Sequence, residues 1–133
     1  NWFYCARLKA DMVMTGGDGK VRLWDLRSGQ SVRAYSCYSS FPPAWITSVQ
    51  FDDNKVVAGS CNRSVYCWDF ASSRLINRWT AHEDKISAIY FEGTELYTAS
   101  RDRTVRQWDF STEPILPRTL PPIPSSATNC SIM

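Results

Sequence analysis

Three observations in this sequence predict an all-β fold. One thirteen-residue pattern occurs three times: MTGGDGKVRLWDL at 14–26, AGSCNRSVYCWDF at 58–70 and TASRDRTVRQWDF at 98–110. Each copy reads as a strand, a tight polar turn and a second strand ending in Trp-Asp. The anchoring residues Trp24, Trp68 and Trp108 stand 44 and 40 residues apart, a period that marks propeller blades. Each period also divides into four short strands with turn residues between them. The predicted architecture is a partial β-propeller of three four-stranded antiparallel blades. The last blade has no convincing sequence for its outer strand, and a flexible Pro/Ser tail follows it.

Counting back 22 residues from each tryptophan gives Trp2, Ile46 and Ile86, and the segments between align without a gap. Val21, Val65 and Val105 share one column; Asp18, Asn62 and Asp102 share another. The units are placed at about 2–36, 45–79 and 85–118, within a repeat region of 1–120. In the second unit, 46–51 alternates Ile, Val and Phe with Thr, Ser and Gln, the period-two pattern of a half-buried strand. Strands at 56–59 and 65–68 flank the Asn62-Arg63 turn, and 75–79 is the outer strand. The third unit repeats this with strands at 86–91, 95–99 and 104–108. The first unit is rougher. Arg7 falls where Phe51 and Phe91 fall, so its first strand shifts by one and Leu8 takes the apolar place. The linker 37–44 holds Phe41-Pro42-Pro43 and reads as a loop. Pro114 and Pro117 fall where the third outer strand belongs, and proline cannot donate to a ladder. From 121 to 133 the chain reads as a disordered tail.

Fifteen Lys and Arg against 13 Asp and Glu give a net charge of +2. That balance argues against nucleic acid or an anionic membrane as partner. The five cysteines are odd in number and form no Cys-x-x-Cys, and no signal peptide is visible. A reducing intracellular setting, cytoplasmic or nuclear, follows. With one histidine, no metal site is expected, and no cofactor or catalytic residues are assigned. The chain starts at Asn1, which predicts missing upstream sequence. Three blades fall short of the usual four to eight. The chain is thus read as the C-terminal part of a larger propeller, whose bare outer faces drive association of the isolated piece.

The three aligned units resemble the WD-repeat family, over roughly residues 2–120. The resemblance implies a buried hydrogen-bonded set in the third blade: His82, Ser100, Asp102 and Trp108. The second unit keeps Trp68 and Ser60 but has Asn62 for the Asp and Pro42 for the His. The first keeps Trp24 and Asp18 and has Gly16 for the Ser. Such groups are costly if buried alone and satisfy one another when linked. His82, Ser100 and Asp102 are also the residue types of a catalytic triad. No nucleophile-elbow sequence surrounds Ser100, so the structural reading is preferred.

In this family the strand-two to strand-three turns and the loops entering each blade commonly meet partners. The candidates here are Trp45, Arg63, Arg101 and Arg103. Trp45 either contacts a partner or packs against Phe41 or the next blade. The arginines either hold an acidic or phosphorylated peptide or are solvated loop charges. Cys61, in the same turns, is a candidate exposed thiol. The phrase VQFDDNKVVAGS at 49–60 resembles F-box/WD-repeat proteins, which implies a substrate receptor of a cullin-based ubiquitin ligase. The terminal Cys130-Ser131-Ile132-Met133 matches a prenylation signal favouring farnesyl and is similar to the ends of prenylated proteins. The leading functional reading is a non-enzymatic scaffold that binds other proteins or peptides. The alternatives are the ubiquitin-ligase receptor and a scaffold tethered to membrane through Cys130.

Overall fold

The computed structural model describes residues 3–38, 44–111 and the backbone of 117–119. The described residues form three four-stranded antiparallel sheets, each made of strands consecutive in the chain. The first blade holds β1 (Phe3–Lys9), β2 (Met12–Gly17), β3 (Lys20–Asp25) and β4 (Gln30–Ser36). The second holds β5 (Ile46–Phe51), β6 (Lys55–Ser60), β7 (Ser64–Asp69) and β8 (Leu75–Thr80). The third holds β9 (Ile86–Glu92), β10 (Glu95–Ser100), β11 (Val105–Asp109) and β12 (Pro117–Thr119). The outer strand of the third blade is therefore present, contrary to the sequence expectation. Thr119, Arg118 and Pro117 pair with Arg106, Gln107 and Trp108. A proline is tolerated there because it opens a three-residue edge strand. The tail 121–133, with Cys130, lies outside the described residues, as do Phe41 and Pro42.

The gap-free alignment needs one correction. Val56 faces Trp68 and Leu96 faces Trp108, each twelve residues before its tryptophan. Val13 faces Trp24 from eleven residues before. The first blade's β2–β3 turn is thus one residue shorter. Asp18 in that turn bridges to Trp45 of the next blade. The same shift puts Leu8 opposite Val13, as Phe51 is opposite Val56 and Phe91 opposite Leu96.

Those phenylalanines show what joins the blades. Phe51 is buried with Met14, Val21 and Leu23 of the first blade. Phe91 is buried with Val57, Val65 and Cys67 of the second. Phe51 and Phe91 are 8% and 4% exposed, whereas Leu8 in the same column is 64% exposed. The face of the first blade that carries Leu8 has no blade over it among the described residues. Backbones also approach closely at each boundary. A Cβ on Gly16 would sit 2.3 Å from Ile46 Cγ2, and one on Gly59 would sit 2.6 Å from Ile86 Cγ2. Each glycine is the seat for the first isoleucine of the following blade.

The polar side of β5, which the sequence reads as a half-buried strand, faces the third blade. Gln50 Nε2 donates to Phe91 O (2.7 Å), and Phe91 N donates to Gln50 Oε1 (2.8 Å). Ile89 N donates to Ser48 Oγ (3.2 Å), and Thr47 Oγ1 donates to Ile86 O. Side chains of one blade thus satisfy the open inner edge of the next, which would otherwise present unpaired backbone groups.

Gly59→Ala is expected to cost about 1–3 kcal/mol by overpacking, measured by urea denaturation. Combining it with Ile86→Ala should cost less than the sum of the two changes; strict additivity would show that the two positions do not meet.

Candidate functional site

The third blade contains a buried polar chain. Trp108 Nε1 donates to Thr98 Oγ1 at 3.0 Å, and Thr98 Oγ1 lies 2.6 Å from His82 Nε2. His82 Nδ1 lies 2.8 Å from Asp102 Oδ2 and 3.1 Å from Thr104 Oγ1. The tautomer that suits both neighbours carries its proton on Nδ1, facing the Asp102 carboxylate, and accepts the Thr98 hydroxyl proton at Nε2. Asp102 Oδ1 accepts from Thr104 Oγ1 (2.6 Å) and Thr104 N (2.9 Å), and Oδ2 from Glu83 N (3.1 Å). Burial pushes the Asp102 carboxyl up, but the bonds from Thr104, Glu83 N and His82 outweigh it and hold it well below the usual carboxylate range.

Ser100 is not the hydroxyl of this chain. Trp108 stands opposite Leu96, and Thr98 is one diagonal step away on the same face. Ser100 is two residues further along, beyond the indole's reach. Its hydroxyl instead donates to Lys85 O (2.8 Å) and Asp84 O (3.1 Å) and accepts from Asp102 N (3.1 Å). It therefore ties the β10–β11 turn to the segment entering the blade. The imidazole nitrogens are taken by Thr98, Asp102 and Thr104, so this arrangement assembles no catalytic triad.

The pairing register shows the same arrangement in the first blade. Thr15 stands in the same place relative to Trp24, and Trp24 Nε1 donates to Thr15 Oγ1 at 2.8 Å. In the second blade Ala58 occupies that position. There Trp68 Nε1 donates across the boundary to Ser36 O (2.9 Å), Tyr66 stacks on the Trp68 ring, and Asn62 Nδ2 donates to Tyr66 OH (2.8 Å).

This framework fixes the turns that carry the candidate contacts. Arg63 N and Arg103 N donate to Ser60 O and Ser100 O, so a β-turn precedes each arginine. Arg63 and Arg103 then take φ of 73° and 70°, where Gly19 (φ 69°) serves in the first blade. Cys61 N donates to Trp45 O and Arg101 N to Lys85 O, while Arg63 O accepts from Ala81 N and His82 N. Trp45, Arg63, Arg101 and Arg103 are all exposed, and this backbone bonding makes their turns one continuous surface. Among the described residues none of the three guanidiniums makes an ion pair. Phe41, one of the packing partners expected for Trp45, lies outside the described residues. Its ring meets Tyr4 of the preceding blade, at 6.4 Å between centroids. Tyr4 was missed because its column otherwise holds Thr47 and Ser87.

Cys61 is half-buried in this turn region. Burial pushes the thiols of Cys37 and Cys67 up to about 12 and about 11, which keeps them protonated. Among the described residues no cluster of His, Cys, Asp or Glu could hold a metal ion. The 49–60 phrase makes the β5–β6 hairpin, where Val49, Phe51, Val56, Val57, Ala58 and Ser60 are buried. It records packing requirements rather than a recognition surface.

Thr98→Val is expected to cost about 1–3 kcal/mol, because it strands a buried indole N–H and an imidazole nitrogen. Ser100→Ala, at a half-buried site, should cost less; the reverse order in denaturant titrations would refute this assignment. The depressed Asp102 carboxyl contributes stability that is complete above the ordinary carboxylate value of about 4. That contribution is lost as pH falls below this towards the group's own lower value. Between pH 5 and 2, thermal unfolding should therefore show a shallower acid loss for Asp102→Asn than for the parent chain.

Comparison with known proteins agrees with this geometry. The family described as "WD domain, G-beta repeat" matches residues 7–25, 31–69 and 73–109. The chain is 32% identical over 78 residues to autophagy-related protein 16 of Arabidopsis thaliana, covering 58% of this chain and 15% of that protein. It is 37% identical over 81 residues to a guanine nucleotide-binding protein subunit beta of Schizosaccharomyces pombe, covering 60% of this chain and 26% of that one. Among solved structures, the β-propeller domain of Cps50 (Swd1) from Myceliophteria thermophila superposes with a TM-score of 0.77 at 18% identity, over 92% of this chain and 40% of that one. The computationally designed Ika8 protein gives a TM-score of 0.71 at 25% identity, over 83% and 34%. The chain spans 15% and 26% of the length of the autophagy-related and beta-subunit relatives. With its repeats matched in register and its three blades in place, this chain belongs to the WD-repeat family of β-propeller proteins.

Proposed function

We propose that this chain is the non-enzymatic, partner-binding part of a larger propeller and works as a protein-interaction scaffold. The observation that carries the reading is the continuous loop face. Three guanidiniums that make no ion pair among the described residues, and an exposed indole, stand on turns that are bonded to one another and to the buried His82 chain. Rigid turns hold these side chains with little ordering cost on binding, which favours affinity. Arginine clusters of this kind suit carboxylates and phosphates, because the planar fork donates two bonds at once. An acidic or phosphorylated peptide segment is the partner chemistry that fits best. The relatives with subunit names, such as the guanine nucleotide-binding beta subunits, are consistent with a role in assemblies.

Charge reversal tests this reading. The parent chain should select acidic or phosphorylated peptides from an array. The combined Arg63→Glu, Arg101→Glu and Arg103→Glu variant should bind them about tenfold or more weakly, with an unchanged melting temperature. Equal binding by both proteins would leave the arginines as solvated loop charges.

A further inference from the structure

A second chemistry lies at the boundary of the first and second blades. Tyr4 is the extra residue at the register shift between Phe3 and Cys5 in β1. Tyr4 is 50% exposed, and Trp45 is 44% exposed. The two rings stand 6.4 Å apart between centroids, tilted by 34°. Trp45 is held by its bridge to Asp18, and its carbonyl accepts from Cys61 N. The Tyr4 phenol donates to the Asp18 carboxylate; partial burial and that carboxylate both keep the phenol protonated. Two half-exposed aromatic residues beside an anion are therefore anchored through their backbones before any ligand arrives. The equivalent boundary between the second and third blades has nothing similar. It carries Thr47 and Lys85, and Thr47 uses its hydroxyl on Gly59 O and Ile86 O.

We propose that Tyr4, Trp45 and Asp18 form a site for an alkylammonium group, the side chain of a lysine or methylated lysine on a partner protein. A cation is attracted to an aromatic face when it lies within about 6 Å of the ring centroid, and rings this close and this near to parallel let one ammonium reach both. Asp18 adds a direct attraction for the cation and repels an anion. Lys20 and Arg63 stand on the neighbouring turns and are exposed, so the site sits at the edge of a basic surface. A partner segment meeting both would carry a basic residue toward the first blade and acidic groups toward the third. The proposal rests on reading the loop face as a partner surface, but its ligand has the opposite charge from that of the arginines.

The test uses the 133-residue chain with 15N-labelled indoles, the Trp45 signal being assigned by its absence in Trp45→Phe. Three probes are titrated: Nα-acetyl-lysine methylamide, its trimethylated form, and a neutral isostere with carbon in place of the quaternary nitrogen. The charged probes should shift the Trp45 signal saturably, the neutral isostere should not, and the buried Trp108 signal should stay fixed. Asp18→Asn should weaken binding by about two- to fivefold, as an exposed cation contact implies, and Tyr4→Leu should abolish the saturable shift. The triple arginine reversal should leave cation binding intact, which separates this site from the acidic-peptide surface. Equal shifts with the neutral isostere would overturn the proposal in favour of a simple apolar patch. Movement of the Trp45 signal with a phosphoserine peptide alone would overturn it in favour of an anion site.

Discussion

Each blade has an apolar face that only its neighbour can cover, and everything else in the structure depends on that. Phe51 lies against the first blade and Phe91 against the second, both almost fully buried. Burying one such side chain is worth about 1.5–3 kcal/mol, so a boundary lined by seven or more apolar residues dominates the local energetics. Close approach requires Gly16 and Gly59 at the points where Ile46 and Ile86 press on the sheet. It also brings Gln50 and Ser48 within bonding distance of β9. One sheet thereby completes the hydrogen bonding of the next.

The buried polar chain of the third blade is a second solution to the same need. His82 precedes β9, Thr98 lies on β10, Asp102 in the turn and Trp108 on β11. Their bonds lock three consecutive segments to each other. The second blade manages without the histidine because stacked aromatics fill the space. Tyr66 lies on Trp68 with the rings 12° from parallel, and Trp68 borrows a carbonyl from the first blade. Polar satisfaction and aromatic packing are interchangeable here provided that no buried N–H is orphaned. Among the described residues two side-chain nitrogens, Trp79 Nε1 and Arg106 Nε, are exceptions, buried without a partner.

Strand order and most strand positions were readable because the Trp-Asp period and the apolar alternation both survive in the sequence. Finer features depend on geometry that a gap-free alignment hides. The first blade's turn is one residue shorter, and only pairing register reveals it, by setting Val13 opposite Trp24. Thr98 and Ser100 are both hydroxyl residues on one face of a strand. The choice between them depends on which lies diagonal to the indole, a cross-strand distance that residue type does not encode. Two prolines argued against an outer third-blade strand, yet three edge residues suffice for one. Tyr4 left no trace because a bulge position faces a neighbouring blade, and no periodicity within its own blade predicts what it meets.

The loop face inherits its character from these hidden features. The first turn, shorter by one residue, bridges to Trp45 and brings the Asp18 carboxylate to the Tyr4 phenol. The second and third blades keep the longer turn, and its left-handed position holds an arginine in both. One deletion in a turn thus separates an aromatic, acidic corner from a basic one on a single rigid surface. A partner recognised by both corners must present opposite charges in a fixed order. That requirement discriminates between partners more sharply than either corner could alone, because a segment docked in reverse meets like charge at both ends.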